Sequence, residues 1–231
     1  MQHTVVLFDI DGTLITAGGA GRRALQSAFE RMVGSADGLD FNLAGMTDPA
    51  IVRQALRRSD GAEVSNEQEM VPRLLAAYVH FLAQEVPVSP GYRVHPGVTD
   101  VLDQTERQRD RVASGLGTGN LEAGARIKLT RGELSERFRF GGFGSDHEDR
   151  AELLRIGAQR GAAQLGAPHD QCRVVVVGDT PRDVRAARAI GAQCVAVATG
   201  PFSCDELHEA GATRVFPDLA QPGAAAAILG N

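Results

Sequence analysis

Tryptophan is absent from the chain, and aromatic residues make up only 5% of it. Proteins that stack bases on aromatic platforms carry more. The net charge of -5 also denies the chain the basic face that a phosphate backbone requires. Nucleic acid is therefore not an expected partner, although a local basic pocket for a small anion remains compatible with this balance. Cysteine is scarce: Cys172, Cys194 and Cys204 stand far apart and form no CxxC pair. That excludes a disulfide framework or zinc site and predicts buried thiols in a reducing cytosol. No apolar run approaches the length of a bilayer, and the first residues lead into a short strand without the layout of a signal peptide. The expectation is a cytoplasmic protein without membrane contact. Lysine occurs once, at Lys128.

What is present suits a globular enzyme. The 231 residues accommodate one large domain, or a core with a smaller insert, and the 43% hydrophobic share fills such a core. Residues 4–8 form an apolar, β-branched run that predicts a buried strand ending at Asp9. From 17 to 88 the texture changes. Gly18, Gly19 and Gly21 suggest a hinge, and helical patterns follow at 22–32, 48–58 and 67–85. In the last of these Val71, Leu74, Leu75, Tyr78, Leu82 and Val86 recur at three- and four-residue steps, the signature of an amphipathic helix. Asp48-Pro49 predicts a helix start. Beyond 88, strands expected at 112–116, 138–143, 173–177, 194–198 and 214–216 alternate with helices at 121–130, 149–165 and 182–190. Alternation of this kind predicts a doubly wound parallel α/β sheet, with 1–16 and 89–231 as core and 17–88 as a helical cap.

Three predicted strands end in related polar groups: Asp9-Ile10-Asp11-Gly12-Thr13, Gly117-Thr118-Gly119-Asn120, and Gly178-Asp179-Thr180-Pro181-Arg182-Asp183. In open α/β sheets, ligands bind at the carboxyl ends of the strands. If these strands are neighbours, four carboxylates and a threonine meet at one edge. Crowded carboxylates need a cation, and an all-oxygen site with few ligands suits Mg²⁺. Of Asp9 and Asp11, one can attack phosphorus while the other handles protons. Asp179 and Asp183 lie one helical turn apart and can hold the metal. Thr118 offers a hydroxyl, and Gly119 and Asn120 offer backbone N–H groups at a helix start, a natural anion site.

These motifs resemble those of the haloacid dehalogenase (HAD) superfamily, within it the phosphoglycolate-phosphatase-like enzymes with a helical cap, and the resemblance spans essentially the whole chain. Phe8-Asp9-Ile10-Asp11-Gly12-Thr13-Leu14 is similar to the first motif, Thr118 to the second, and Gly178 through Asp183 to the fourth. The resemblance implies a Rossmann-like core and a nucleophile at Asp9. It implies a general acid/base at Asp11, phosphate binding by Thr118 with Gly12 and Thr13 beside it, and Mg²⁺ on Asp9, Asp179, Asp183 and the Asp11 carbonyl. The third motif departs from the family pattern, because no Lys-Pro pair exists. Arg150 stands near that place and is the expected cation. Lys128 is about ten residues past Thr118, roughly 15 Å along its helix at 1.5 Å per residue, and is expected to lie away from the edge.

The function implied is Mg²⁺-dependent hydrolysis of a small phosphorylated metabolite, with Thr47 and Asp48 on the substrate side. A phosphomutase using the same aspartyl-phosphate, or a non-catalytic phosphate-ligand-binding member, are the alternatives. A dehalogenase would lack Asp11, a degenerate member would have lost one of the aspartates, and a cap hinders access by a folded protein substrate. Oligomeric state is not legible.

Overall fold

The computed structural model describes residues 2–59 and 67–230. The chain runs β1 (Thr4–Phe8), β2 (Ile15–Ala17), α1 (Ala20–Val33), α2 (Asp48–Arg58), α3 (Glu67–Val88), β3 (Tyr92–Val94), α4 (Val98–Arg107), β4 (Val112–Thr118) and α5 (Glu122–Thr130). It continues through β5 (Gly141–Phe143), α6 (Arg150–Gln164), β6 (Arg173–Gly178), α7 (Pro181–Ala189), β7 (Gln193–Val197), α8 (Cys204–Glu209), β8 (Arg214–Phe216) and α9 (Ala224–Leu229). Among the described residues, no helix is long and apolar enough to cross a membrane.

Six strands form one parallel sheet in the order β5-β4-β1-β6-β7-β8. The strand order reverses around β1, which pairs with β4 on one side and β6 on the other. Side chains alternate across each strand with period two. Val6 and Phe8, with Val175, Val177, Val195 and Val197, enter one core layer. Val5 and Leu7, with Val176, Cys194 and Ala196, enter the other, under α6 and α7. Burial on both faces explains why these strands read as unbroken apolar runs in the sequence. The fold is the expected doubly wound sheet with a helical cap inserted after β1.

Several boundaries differ from expectation. β4 runs to Thr118, two residues beyond the expected end, so the threonine belongs to the strand. β5 is confined to Gly141–Phe143. Phe138 and Phe140 are instead core residues, and a Cβ on Gly115 would sit 2.4 Å from the Phe140 ring. The pair β2 and β3 was not expected at all. These three-residue strands pair antiparallel where the chain leaves the core for the cap and where it returns. Strands so short fall below the window in which alternation shows. Gly19 takes a left-handed conformation as the cap of α1, whereas Gly21 lies within that helix. The 60–66 stretch of the predicted cap lies outside the described residues.

Candidate active site

The Asp9 N–H donates to the Val177 carbonyl at 2.9 Å, carrying the β1–β6 ladder one residue past β1. The chain then turns sharply. Gly12 has φ +84°, and a Cβ there would lie 2.2 Å from Asp179 Oδ2. Only glycine satisfies both demands. Gly12→Ala is expected to cost about 1–3 kcal/mol in backbone strain and to displace Asp179. Urea unfolding beside magnesium titration would check this, and an unchanged midpoint with unchanged affinity would refute it. Thr13 and Thr199 fix the same turn. Thr13 Oγ1 donates to Asp179 Oδ1 at 3.0 Å, and Thr199 Oγ1 donates to the Gly12 carbonyl.

Asp9, Asp179 and Asp183 are buried together, with one oxygen from each within 4.8 Å of the others. Oxygens around a Mg²⁺ at about 2.1 Å are separated by roughly 3.0–4.2 Å, so this trio fits the ion after a small contraction. Arg150, at the start of α6, enters the same cluster. Its Nη2 lies 2.8 Å from Asp9 Oδ2 and 2.5 Å from Asp183 Oδ1. Asp183 Oδ2 accepts from the Thr180 N–H and hydroxyl, in the capping box that opens α7. Burial pushes the Asp9 carboxyl up to about 6, with Arg150 pulling it down and Asp183 adding to the rise. Burial, then the charges of Asp183 and Asp9, holds Asp179 well above the usual carboxylate range. Three carboxylates against one guanidinium leave a formal charge of about -2, which a divalent cation neutralises.

The Asp11 carboxylate is not part of that trio. Its Oδ2 accepts from Lys128 Nζ at 2.6 Å and from Asn120 Nδ2 at 3.0 Å. Asn120 links the pair: Nδ2 also donates to Thr118 Oγ1 at 2.8 Å, and Oδ1 accepts from Lys128 at 2.6 Å. The expectation that Lys128 lies away from the edge is therefore wrong. α5 packs against the cap helix α3, and the lysine's flexible four-carbon stem carries the ammonium into the site. A Cβ on Gly21 of α1 would lie 3.5 Å from Lys128 Nζ and 3.8 Å from the Tyr78 hydroxyl. Burial lowers the Lys128 pKa, but the charges of Asp11, Tyr78 and Asp48 outweigh it and raise the pKa above the ordinary lysine value.

The remaining expected residues lie where cap meets core. The Asp48 N–H donates to the Gly119 carbonyl at 2.8 Å, and a Cβ on Gly119 would clash with the backbone of Met46 and Thr47. Asp48 Oδ2 accepts from the Leu121 N–H at 2.8 Å. Thr47 caps α2 and donates to the Glu148 carbonyl at 3.0 Å, so its hydroxyl is engaged in docking the cap. The Asn120 N–H is taken by Thr118 Oγ1 at 3.3 Å, and the side chain of Asn120 carries its contacts with the site.

A cavity of about 460 Å³ joins these groups, reaching from Asp9 and Thr118 to Asp48, Tyr78 and Lys128. Sequence reasoning missed Tyr78, Thr16, Thr199 and Gly200 as lining residues. Tyr78 was visible only as one apolar position of a helix. Thr199-Gly200 follows β7 and repeats the pattern of a polar group after a strand, a signal that was there to be read. His147 is exposed in its loop and does not line the cavity.

The profile of the family described as haloacid dehalogenase-like hydrolase matches residues 6–188. The chain belongs to that family. A second profile, HAD-hydrolase-like, matches 155–222. A protein of Rhodospirillum rubrum named phosphoglycolate phosphatase is 29% identical over 235 residues, covering 94% of this chain and 88% of its own. Among solved structures, CbbY from Rhodobacter sphaeroides in complex with phosphate superposes with a TM-score of 0.71 at 19% identity, over 96% of each chain. A hydrolase from Pseudomonas syringae superposes with a TM-score of 0.67 at 22% identity, over 95% of each chain. At these identities the two structures speak for the fold alone. Family membership makes the chain a hydrolase, with the expected α/β core and cap.

Proposed function

We propose that this chain is a Mg²⁺-dependent phosphatase that hydrolyses a small phosphorylated metabolite through an aspartyl-phosphate on Asp9. The observation that carries the reading is the separation of two carboxylates two residues apart into different surroundings. Asp9 sits with Asp179, Asp183 and Arg150, where three carboxylates face one guanidinium and leave a place for a divalent cation. Asp11 sits apart on Lys128 and Asn120, where it can exchange protons. The similarity to a protein named phosphoglycolate phosphatase supports the reaction class.

In this reading Asp9, Asp179, Asp183 and the Asp11 carbonyl hold Mg²⁺, which when bound supplies positive charge against the phosphoryl oxygens. Asp9 attacks phosphorus, and the bond from phosphorus to the leaving oxygen breaks. The leaving oxygen takes a proton from Asp11. A water then attacks the phosphorylated Asp9, giving its proton to Asp11, and inorganic phosphate departs with Asp9 regenerated. Thr118, Gly12 and Gly119 line the place of the phosphoryl group. Thr13, expected beside them, is buried outside the cavity with its hydroxyl given to Asp179, and Asn120 spends its N–H groups on Thr118 and Asp11, so both support the site without holding phosphate. Arg150 offsets its charge, and Lys128 positions Asp11. Residues 17–88 form the cap, and 1–16 with 89–231 form the core.

Phosphate release with and without chelator tests activity, and thermal melting tests the ion separately. Asp9 is pushed up to about 6 and Asp179 also upward. Such groups favour folding below their unfolded pKa, and that benefit is lost as pH rises through the folded value. The chelated protein should therefore lose stability as pH rises through about 6. Mg²⁺ at a hundred times its dissociation constant should restore about 2.7 kcal/mol, a rise of roughly 5–10 °C, mostly above pH about 6. Full turnover in chelator would end the magnesium reading.

A further inference from the structure

One glycine beside the site is required neither by its backbone nor by its packing. Gly19, the cap of α1, has φ +80°, a conformation that favours glycine. Gly21, in the first turn of the same helix, lies outside the left-handed region, so a residue with a side chain could take its place. A Cβ there would lie 3.5 Å from Lys128 Nζ, 3.7 Å from Lys128 Cε and 3.8 Å from the Tyr78 hydroxyl, all ordinary van der Waals distances. Alanine would fit, and it would favour folding by restricting the unfolded chain.

What a side chain at this position would remove is space in the cavity. Gly21 lines it together with Asp11, Tyr78 and Lys128. Leu25, one turn along the same face of α1, fills its share of the wall with a side chain, whereas Gly21 leaves room for a carbon atom of a ligand. In the phosphatase reading the leaving oxygen takes a proton from Asp11, so it lies within hydrogen-bond reach of that carboxylate, about 3 Å. Lys128 Nζ is 2.6 Å from Asp11 Oδ2. The carbon that carries the leaving oxygen therefore passes the wall that Lys128 and Gly21 form.

From this arrangement we propose that Gly21 is a specificity-determining residue that admits phosphate esters branched at the carbon bearing the phosphate, the phosphomonoesters of secondary alcohols. The second arm of such a leaving group occupies the place of the missing Cβ. A side chain at position 21 competes with that arm before it hinders an unbranched ester. One carbon more or less in a packed pocket is worth about 10–200-fold in discrimination. The glycine thus costs the helix a little stability and widens the range of leaving groups.

The inference rests on the phosphatase reading, and the test separates the two. With Mg²⁺ present, hydrolysis of p-nitrophenyl phosphate reports the phosphatase reading alone, and its absence would sink that reading first. The specificity claim is read from two isomers of equal charge and composition, glycerol 2-phosphate (branched at the ester carbon) and glycerol 1-phosphate. The wild-type protein should turn over the 2-phosphate with a kcat/KM within about tenfold of that for the 1-phosphate. Gly21→Ala should lower the ratio of the two by about tenfold, and Gly21→Val should lower it further. Gly21→Ala should also melt about 1–4 °C above the wild type. A wild type that hydrolyses p-nitrophenyl phosphate but not glycerol 2-phosphate overturns the proposal. So does a ratio unmoved in Gly21→Ala, even if both rates fall. A Gly21→Ala protein that melts lower or fails to fold overturns it as well, because the glycine would then serve packing.

Discussion

Asp9→Asn is expected to leave no detectable phosphoenzyme and to lower turnover by on the order of 10⁴-fold or more, as loss of a covalent nucleophile does elsewhere. The physical reason is local. An amide is a poor nucleophile, and the substitution also takes a negative ligand from the buried trio with Asp179 and Asp183. It does not disturb Asp11, whose carboxylate is held on Lys128 and Asn120. Asp11→Asn therefore makes the informative contrast. It keeps the nucleophile and the acid trio but removes proton transfer, a loss of about 10²–10⁴-fold. Incubation with a fluoride-based phosphate mimic and Mg²⁺, followed by structure determination, should place the mimic against Asp9. A phosphorylated serine or histidine would end the mechanism.

Removal of either buried cation should cost most of the activity, in two distinguishable ways. Arg150→Ala strands Asp9 and Asp183, which the guanidinium contacts at 2.8 and 2.5 Å. Breaking a buried pair of this kind destabilises by about 3–5 kcal/mol, so metal-free protein should melt early and Mg²⁺ should recover part of the loss. With the cation opposite the phosphate gone, the first chemical step should slow by about 10²–10³-fold. Lys128→Met instead leaves Asp11 and Asn120 without their shared donor. With p-nitrophenyl phosphate, whose leaving group needs little protonation, phosphoenzyme should still form. Its hydrolysis, which needs Asp11 as a base, should slow on the order of 10²-fold. Rapid-quench kinetics would show a burst for Lys128→Met and none for Arg150→Ala. A healthy Lys128→Met would refute the positioning role of the lysine, and a healthy Arg150→Ala would refute that of the arginine.

The difference between these two cations also marks the limit of what the sequence discloses. The acid-bearing strand ends were legible because they are local: Asp9 and Asp179 close apolar runs, Asp11 and Asp183 follow within two and four residues, and the sheet order makes those ends neighbours. The core strands were legible for the same reason, since burial on both faces writes continuous apolar runs. Lys128 was misplaced because its position depends on how α5 leans on α3, a contact between elements far apart in the chain. Tyr78 was assigned to the apolar stripe of α3, which is correct for its ring, but periodicity cannot say where a hydroxyl points. The pair β2 and β3 escaped because three residues are too few to alternate. Thr47 and Asp48 were adjacent candidates for one role, yet one docks the cap on Glu148 and the other lines the cavity.

The central place of β1 in the sheet carries a consequence for how the molecule is assembled. The strand contributes five buried residues, and both its neighbours lie far downstream, β4 beginning at Val112 and β6 at Arg173. On the ribosome, α1, α2 and α3 are complete before either neighbour has been made. β1 must wait as an unpaired apolar segment while the helices fold beside it. Such long-range parallel pairing is slow and exposes strand edges to aggregation. The residue at its tip thus gains its surroundings only after Asp183 has emerged, so a nascent chain halted before that point lacks the buried acidic trio.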